Sequence, residues 1–231
     1  MAALVIMAAG MGSRYGGNKQ IDGVGPNGEI LMEYSIYDAL RAGFDKVVFI
    51  IKPEMRETMD RLCGRCVARL KTVSGAPVEV LYAYQDFSSV PTFYKIPAER
   101  TKPFGTAHAV LCARSCLREP FVVINADDYY GEDAFRVIYK ELGQLAKTHE
   151  ATMVGYRLDR TVSKHGSVTR GVCHVTNGQL DRVVETFQLK VFPDGTIRDV
   201  AQDPKGILYA PETPVSMNLW GFTPWIFEKL E

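Results

Sequence analysis

The chain has 231 residues, of which 46% are hydrophobic, and this is enough for one large domain or two small ones with a buried core. Its 27 basic and 27 acidic residues balance. The balanced charge and the high apolar content exclude general disorder. The lack of a basic excess excludes a general nucleic-acid binder, because such a binder must neutralise many phosphates. The apolar run at 2–9 is far shorter than the roughly 20 residues that cross a bilayer, and it lacks a signal peptide's basic segment. Together with an odd count of five cysteines, this predicts a cytoplasmic protein with reduced thiols and no membrane partner.

Apolar runs and helical patterns alternate along the first two thirds of the chain. Strands are predicted at 4–9, 46–51, 78–84, 121–125 and 151–156. Helices are predicted at 29–42, from Pro53, from Gly105 and after Gly131. Strands that are separated by helices indicate a mostly parallel sheet with right-handed crossovers.

Two of the predicted helices have a readable apolar face. In the helix at 29–42 this face is predicted to contain Ile30, Tyr34, Tyr37 and Leu40, and Gly43 is placed to end the helix. In the helix after Gly131 the apolar face is predicted to contain Phe135, Ile138, Leu142 and Leu145.

The pattern changes after residue 157. Residues 165–200 read as short strands, with hairpin turns predicted at Asn177-Gly178 and Asp194-Gly195. A last strand is predicted at 215–222, and a helix from Pro224. The fold class is therefore α/β: a Rossmann-like, mostly parallel sheet with helices on both faces and a small β-rich part. We treat 1–231 as a single domain with halves 1–157 and 158–231.

Parallel sheets bind their ligands at the carboxyl ends of the strands. The loops that begin near Gly10, Gln85 and Asp127 each follow a predicted strand. We therefore expect these three loops to share one edge of the sheet. The stretch at 85–104 is long for a structureless connection and predicts a functional loop.

The strongest single signal is the glycine-rich segment at 4–20, LVIMAAGMGSRYGGNKQ. Gly10 and Gly12 remove side chains where a backbone must approach a ligand, and they allow N–H groups to face an anion. Ala8 and Ala9 keep the end of the strand uncrowded. The segment therefore predicts a phosphate-binding loop, although a plain turn from strand to helix would also explain the glycines.

Two cations in this loop, Arg14 and Lys19, can offset the charge of a polyphosphate. The dinucleotide-binding fingerprint is absent, because its third glycine position holds Tyr15. The P-loop is absent too, because Asn18 and Gln20 flank the lysine. An oxidoreductase that uses a nicotinamide cofactor is therefore the least favoured enzyme class.

With these motifs the sequence resembles the nucleotidyltransferases that make sugar nucleotides, which share a glycosyltransferase-A type of Rossmann-like fold. The pattern Gly10-x-Gly12-x-Arg14 with Lys19 looks like the signature loop of that family. Further segments are similar to family elements in the same order: 31–52, 103–110, 122–131, 170–172, 184–185 and 218–222. The resemblance implies that a nucleoside triphosphate and a sugar 1-phosphate are joined with release of pyrophosphate, and that 1–157 binds the nucleotide and 158–231 the sugar.

The resemblance also implies roles for individual residues. Arg14 would bind the β- and γ-phosphates, Lys19 the α-phosphate, and Asp127 a catalytic Mg²⁺. The implied nucleotide-binding residues are Ala8, Ala9, Gly10, Gly12, Gly105 and Thr106, and the implied sugar-binding residues are Gly171, Glu185 and Asn218. Asp128 should point away from Asp127 if the alternation of the strand persists, so we assign the metal to Asp127 alone.

The sequence departs from the family at three points. The spacing from Arg14 to Lys19 is short and more like that of cytidylyltransferases and molybdopterin guanylyltransferases. Thr186 stands where the family has a lysine that meets the sugar phosphate. The family's second metal-binding aspartate would come after residue 231, so we expect the domain to continue beyond it. The acceptor could therefore be an alditol phosphate, phosphocholine or a pterin phosphate, or the protein could be a regulatory module that binds nucleotides without turnover.

Simpler interpretations of these residues stay open at this point. Asp127 or Thr106 could cap a turn or a helix, and Glu185 could be a solvated charge of a hairpin. Cys63 and Cys66 have a metal-like spacing, but structural thiols are the favoured interpretation. The nucleobase and the oligomeric state, homo-oligomers included, are not readable from the sequence.

Overall fold

The structure is a computed structural model that describes residues 1–10, 23–90, 93–100, 104–145 and 149–230. The chain divides into two compact units. Unit 1 comprises Met1–Thr152 and Leu219–Glu231, and unit 2 comprises Met153–Asn218.

The described residues form ten strands and six α-helices, joined by shorter helical turns. The strands are β1 (Ala3–Met7), β2 (Lys46–Ile51), β3 (Glu79–Tyr84), β4 (Phe121–Asn125), β5 (Thr152–Arg157), β6 (Val168–Thr176), β7 (Gln179–Val191), β8 (Ile197–Asp199), β9 (Ile207–Tyr209) and β10 (Pro214–Phe222). The helices are α1 (Leu31–Ala42), α2 (Arg56–Met59), α3 (Arg65–Val67), α4 (Thr106–Cys112), α5 (Glu132–Leu145) and α6 (Phe227–Leu230). Each predicted strand of the first half is present within two residues of its predicted bounds.

The sheet of unit 1 has a parallel centre. β1 pairs in parallel with β2 on one side and with β4 on the other, and β3 pairs in parallel with β2. The end of β10, Trp220–Phe222, pairs antiparallel with β4. These pairings confirm the predicted α/β class and add an antiparallel strand to the parallel core.

Helices cover both faces of this sheet, as predicted. Alternate residues of β1, Ala3 and Val5, lie in one buried cluster with residues of α4 and α6. The intervening residues, Leu4 and Ile6, are fully buried and point to the opposite face. On that face α1 and α5 pack against each other. The predicted apolar face of α5 is confirmed, because its four residues are all buried.

The predicted apolar face of α1 is confirmed at Ile30 and Leu40, which are buried, and wrong at Tyr37. Tyr37 is 54% exposed, whereas Met32, Ile36 and Ala39 are buried. The segment has apolar residues on two helical stripes, and spacing alone does not decide which stripe faces the sheet. The helix also begins later than predicted, at Leu31, and the Glu33 carboxylate accepts a hydrogen bond of 2.8 Å from the N–H of Ile30, the residue before the helix.

Unit 2 is the β-rich part that the sequence predicts. β6, β7, β8 and β9 pair in sequence as an antiparallel sheet, and Val215 and Ser216 of β10 pair with β6. Both predicted hairpin turns are present: Asn177 and Gly178 have positive φ angles of 53° and 79°, and Gly195 has a φ of 83°. Its core consists of Leu158, Val172, Leu189, Ile197 and Val215.

None of the helices in the described ranges has the length and apolar character that crossing a membrane requires.

The end of α1 gives a testable prediction of stability. Gly43 has a φ of 118°, and a Cβ there would lie 2.7 Å from the Tyr139 ring. We expect Gly43→Ala to lower the free energy of unfolding by about 2 kcal/mol or more, because the left-handed conformation and the contact with the ring are both unfavourable. Gly143→Ala is the matched control, since Gly143 lies in α5 with no described atom within 4 Å of its Cβ position.

We expect the control to raise stability by about 0.5–1 kcal/mol, because alanine is the better helix former. Urea denaturation of both variants measures the two effects. Equal effects of the two substitutions would contradict the description of the α1 end.

Candidate active site

The strand ends of unit 1 meet at one edge of the sheet. Three backbone hydrogen bonds join them: Ala8 N to Ile50 O at 2.8 Å, Gln85 N to Ile51 O at 2.8 Å, and Ala126 N to Met7 O at 3.3 Å. The loops that follow β1 and β4 therefore begin side by side, and the loop that follows β3 begins at the same edge, on the other side of β2. This confirms the expectation that the loops near Gly10, Gln85 and Asp127 share an edge.

The loop after β1 leaves the sheet through small residues. Ala8 and Ala9 are buried, and Gly10 is exposed. No described atom lies within 4 Å of the position that a Cβ of Gly10 would occupy. The predicted phosphate-binding residues Gly12, Arg14 and Lys19 lie outside the described residues.

The side chain of Gln85 connects β3 with the residues that precede α4. Its Nε2 donates hydrogen bonds to the carbonyl oxygens of Phe104, at 2.8 Å, and Gly105, at 3.4 Å. Gln85 is only 8% exposed, so these bonds satisfy an amide that would otherwise be buried without partners. Sequence reasoning missed this role, although a polar residue directly after an apolar strand was a usable signal.

Gly105 and Thr106 lie at the beginning of α4. Gly105 occupies the capping position with extended backbone, and Thr106 is the first residue of the helix. Among the residues that the structure describes, no side chain caps this helix, so the interpretation of Thr106 as its cap is wrong. Both residues are exposed, and the Cβ position of Gly105 is clear of described atoms to 4 Å.

Aromatic residues of the loop at 85–104 pack on each other. The ring of Phe104 contacts the rings of Phe87, Tyr94 and His108, with centroid distances of 5.8, 5.8 and 5.4 Å. The Arg100 guanidinium lies 4.0 Å from the Phe104 centroid. Burial lowers the pKa of the His108 imidazole, which favours its neutral form. The cluster gives this end of the loop a fixed arrangement next to Gly105.

Asp127 lies directly after β4, at the same edge. Its side chain is exposed, whereas Asp128 is half-buried. The Asp128 Oδ2 accepts a hydrogen bond of 2.7 Å from Asn125 Nδ2, and the Tyr130 hydroxyl accepts one of 2.9 Å from Asn125 N. The two neighbouring aspartates therefore have different surroundings.

The acidic residues at this edge fit a magnesium ion that is shared with a ligand. Within the described ranges, no group of three or more His, Cys, Asp or Glu side chains comes together to hold a metal. Magnesium, however, is commonly held by one or two carboxylates together with phosphate oxygens and water. The exposed carboxylate of Asp127 follows β4, the neighbour of β1 in the sheet, and suits that mode of binding.

The residues predicted to bind the sugar lie together within unit 2. Gly171 of β6 pairs with Glu185 of β7 and with Ser216 of β10. A Cβ at Gly171 would lie 2.5 Å from Val183 Cγ1 and 3.8 Å from Glu185 Oε1, so only glycine fits between these strands. The backbone N of Asn218 donates a 3.1 Å hydrogen bond to Ser216 Oγ.

Asn218 has a conformation that is uncommon for a residue in a strand. Its φ is 61°, in the left-handed region, and its side chain is exposed. Asparagine tolerates this region better than most residues, and such conformations cluster at functional sites. Ser216, which orients the backbone of Asn218, was not found from the sequence because a serine in a strand gives no distinct signal.

The cysteine pair differs from a metal site. Cys63 is fully buried, and burial raises the pKa of its thiol to about 12, whereas Cys66 is exposed. A thiol with so high a pKa stays protonated and packs as a small apolar side chain.

Comparison with known proteins agrees with this geometry. The family model described as nucleotidyl transferase matches residues 3–191. A solved structure from Bacillus anthracis, assigned as a glucose-1-phosphate thymidylyltransferase in complex with sucrose, is 17% identical with a TM-score of 0.62, over 99% of this chain and 74% of that one. UDP-glucose pyrophosphorylase complexed with UDP-glucose is 17% identical with a TM-score of 0.55, over 100% of this chain and 79% of that one.

The inositol-1-phosphate CTP transferase from T. maritima is 11% identical with a TM-score of 0.60, over 99% of this chain and 73% of that one. No curated protein matches the chain in sequence. At these identities the solved structures show the shared fold, while the family model covers well over half of the chain and shows the family. The chain belongs to the nucleotidyl transferase family and is a nucleotidyltransferase enzyme.

Proposed function

We propose that this enzyme joins a nucleoside triphosphate to a sugar 1-phosphate, with Mg²⁺, to give a nucleotide sugar and pyrophosphate. The main observation behind the proposal is the common sheet edge, where the hydrogen bonds of Ala8, Gln85 and Ala126 join the ends of four neighbouring strands. Two structural neighbours, assigned as a glucose-1-phosphate thymidylyltransferase and a UDP-glucose pyrophosphorylase, support the substrate class.

The reaction requires positioning more than proton transfer. An oxygen of the sugar phosphate, already ionised at neutral pH, attacks the α-phosphorus, and the bond to the bridging oxygen of pyrophosphate breaks. No general base is needed, because the nucleophile carries no proton to remove. The enzyme must hold two anions together and stabilise negative charge on the phosphorus oxygens.

The backbones of Gly10 and Gly105 are proposed to lie against the nucleotide, since both are exposed at the carboxyl edge of the sheet. Arg14 is proposed to bind the leaving β- and γ-phosphates and Lys19 the α-phosphate. The fully buried Ala8 and the nearly buried Ala9 would keep side chains out of the space above the strand end. Gly12 and Thr106 complete the proposed nucleotide site.

Asp127 is the residue proposed to hold the magnesium ion. When bound, this ion neutralises phosphate charge and polarises the reacting phosphoryl group. The exposed carboxylate at the end of β4 supports the assignment, because a ligand shared with phosphate must be reachable from solvent. The lower exposure of Asp128 supports the choice of Asp127 over its neighbour.

The sugar is proposed to bind to Gly171, Glu185 and Asn218 of unit 2. The exposed Glu185 carboxylate can accept hydrogen bonds from sugar hydroxyl groups. The exposed Asn218 amide can both donate and accept. Gly171 is needed so that its two neighbouring strands can approach.

A second candidate keeps the transfer and changes the acceptor. The structural likeness to an inositol-1-phosphate CTP transferase and the short spacing of Arg14 and Lys19 favour a phosphorylated alcohol such as an alditol phosphate. Phosphocholine and a pterin phosphate are further candidate acceptors, and the same screen of acceptors tests them. A regulatory module would instead bind the triphosphate and release no pyrophosphate with any acceptor.

The first prediction concerns Asp127. We expect the full chain, with the right triphosphate, acceptor and Mg²⁺, to release pyrophosphate, and Asp127→Ala to lower kcat/KM on the order of a thousandfold or more, because transition-state charge loses its stabilisation. A coupled pyrophosphate assay over four triphosphates and the acceptor classes measures both. Asp133→Ala, which removes an exposed carboxylate paired with Arg136 in α5, should leave the rate unchanged. Equal rates for Asp127→Ala and the control would refute the metal assignment.

The second prediction concerns Glu185. We expect Glu185→Gln to raise the KM for the acceptor roughly tenfold or more, because a neutral amide is a weaker acceptor than a carboxylate. The dissociation constant of the triphosphate should not change. Glu212→Gln, another exposed carboxylate of unit 2, is the matched control. A normal acceptor KM in Glu185→Gln would show that sugar hydroxyls are bound elsewhere.

The third prediction concerns Gln85. Gln85→Met keeps the shape of the side chain and removes the donor to Phe104 O and Gly105 O. We expect a loss of about 1–3 kcal/mol in the free energy of unfolding, because a carbonyl loses its partner in a partly buried setting. The KM for the triphosphate should rise as well, since the backbone at Gly105 is no longer held. Gln144→Met, at an exposed position of α5, is the control and should change neither quantity. If Gln85→Met behaves like this control, the Gln85 side chain does not hold the backbone at Gly105.

A further inference from the structure

The turn between β4 and α5 is closed by two hydrogen bonds that start from one residue. Asn125, the last residue of β4, donates from its side chain to Asp128 Oδ2 at 2.7 Å. It also donates from its backbone N to the Tyr130 hydroxyl at 2.9 Å. The residues from 125 to 130 are thus tied across the turn by one side chain and one backbone group. We call this pair of bonds the Asn125 clasp.

Residues near both ends of this turn are also held in the core. Ala126 is 5% exposed and donates its N–H to Met7 O of β1 at 3.3 Å. Tyr130 is 4% exposed, and its ring packs against Phe135 of α5 with centroids 6.2 Å apart. The turn therefore cannot shift without disturbing the sheet or α5.

Less exposed and more exposed side chains alternate along residues 126–130. Ala126 and Tyr130 face the interior, and Asp128 is half-buried with its carboxylate bonded to Asn125. Asp127 and Tyr129 are exposed. Asp127 therefore lies between two residues, Ala126 and Asp128, that are each held by a hydrogen bond.

From this arrangement we infer that Asn125 and Asp128 are positioning residues that hold Asp127 in place for its metal; this inference rests on the proposed function. Asp128 acts through an acceptor oxygen and needs no charge for that task. Asn125 acts through its amide donor. Residues that orient a metal ligand typically contribute about 10- to 100-fold in metal affinity or activity.

The competing explanation is that Asp128 binds the metal itself, beside Asp127. The two explanations differ for Asp128→Asn. An asparagine oxygen at this position can still accept the hydrogen bond from Asn125, so a positioning role survives. A role as a metal ligand requires the carboxylate charge, so it is lost in Asp128→Asn as fully as in Asp128→Ala.

The test uses the full chain and four variants: Asp128→Ala, Asp128→Asn, Asn125→Ala and the double variant Asn125→Ala with Asp128→Ala. Three quantities are measured: the affinity of the protein–triphosphate complex for Mn²⁺ by electron paramagnetic resonance, kcat and KM for both substrates, and hydrogen exchange of the amides of 126–130. Asp133→Ala controls for the loss of an exposed carboxylate nearby in sequence.

We expect Asp128→Ala and Asn125→Ala each to weaken Mn²⁺ binding about tenfold, to lower kcat by about 10- to 100-fold and to leave the KM for the acceptor unchanged. Asp128→Asn should recover Mn²⁺ affinity and kcat to within about threefold of the unmodified protein. The double variant should be no worse than either single variant, because both remove the same bond. The amides of the turn should exchange faster in the alanine variants only.

Several results would overturn the inference. Asp128→Asn that is as impaired as Asp128→Ala would identify Asp128 as a metal ligand. Normal Mn²⁺ affinity and kcat in Asn125→Ala, or additive losses in the double variant, would show that the clasp does not position Asp127. Should Asp128→Ala fail to fold, Asp128→Asn and Asn125→Ala still decide between the explanations.

Failure of the proposed function has a different signature. An unmodified protein that binds the Mn²⁺–triphosphate complex but releases no pyrophosphate with any acceptor would refute the transfer reaction. The order of Mn²⁺ affinities among the variants would then still test the clasp. An unmodified protein that does not bind the Mn²⁺–triphosphate complex would overturn the inference and the proposal together.

Discussion

The parallel pairing of β1 with β2 and β4 is the interaction on which the rest of the molecule depends. Residues 3–7 of β1 lie in register with residues 46–50 of β2 and 121–125 of β4. Because the strands run in one direction and in register, their carboxyl ends reach the same edge together. Gly10 and Asp127 are far apart in sequence, and they emerge at this edge only because of that pairing. Ala8, which is buried directly after β1, places only a methyl group at this edge.

Much of this organisation was predictable from the sequence, because it follows from strong local patterns. The bounds of β2 and β4 agree with the predicted bounds, since fully buried strands give continuous apolar runs with clear ends. Gly43 ends α1 as predicted, and the turn at Asn177-Gly178 is present. The face of α1 was not predictable, because Tyr37 and Ile36 are both apolar and only the packing of the helix on the sheet decides which is buried.

The contacts of the candidate site were less predictable than its residues. The hydrogen-bond partners of Gln85 and Asn125 were not predictable, since these partners, the carbonyl of Phe104 and the carboxylate of Asp128, depend on the path of a loop. In unit 2 the strand register brings Gly171, Glu185 and Ser216 together. The Asn177-Gly178 turn alone does not give the pairing of Gly171 with Glu185, because the register shifts between His174 and Val175. The positive φ of Asn218 likewise becomes evident only from the backbone.

The proposed mechanism requires that a triphosphate and a divalent metal bind at the carboxyl edge of unit 1. A crystal structure of the full chain with a non-hydrolysable triphosphate and Mn²⁺, located by its anomalous signal, is the decisive measurement. We expect a manganese peak at the Asp127 carboxylate and the triphosphate against the backbones of Gly10 and Gly105. A nucleotide bound on another surface, or a metal peak remote from Asp127 with the triphosphate in place, would contradict it.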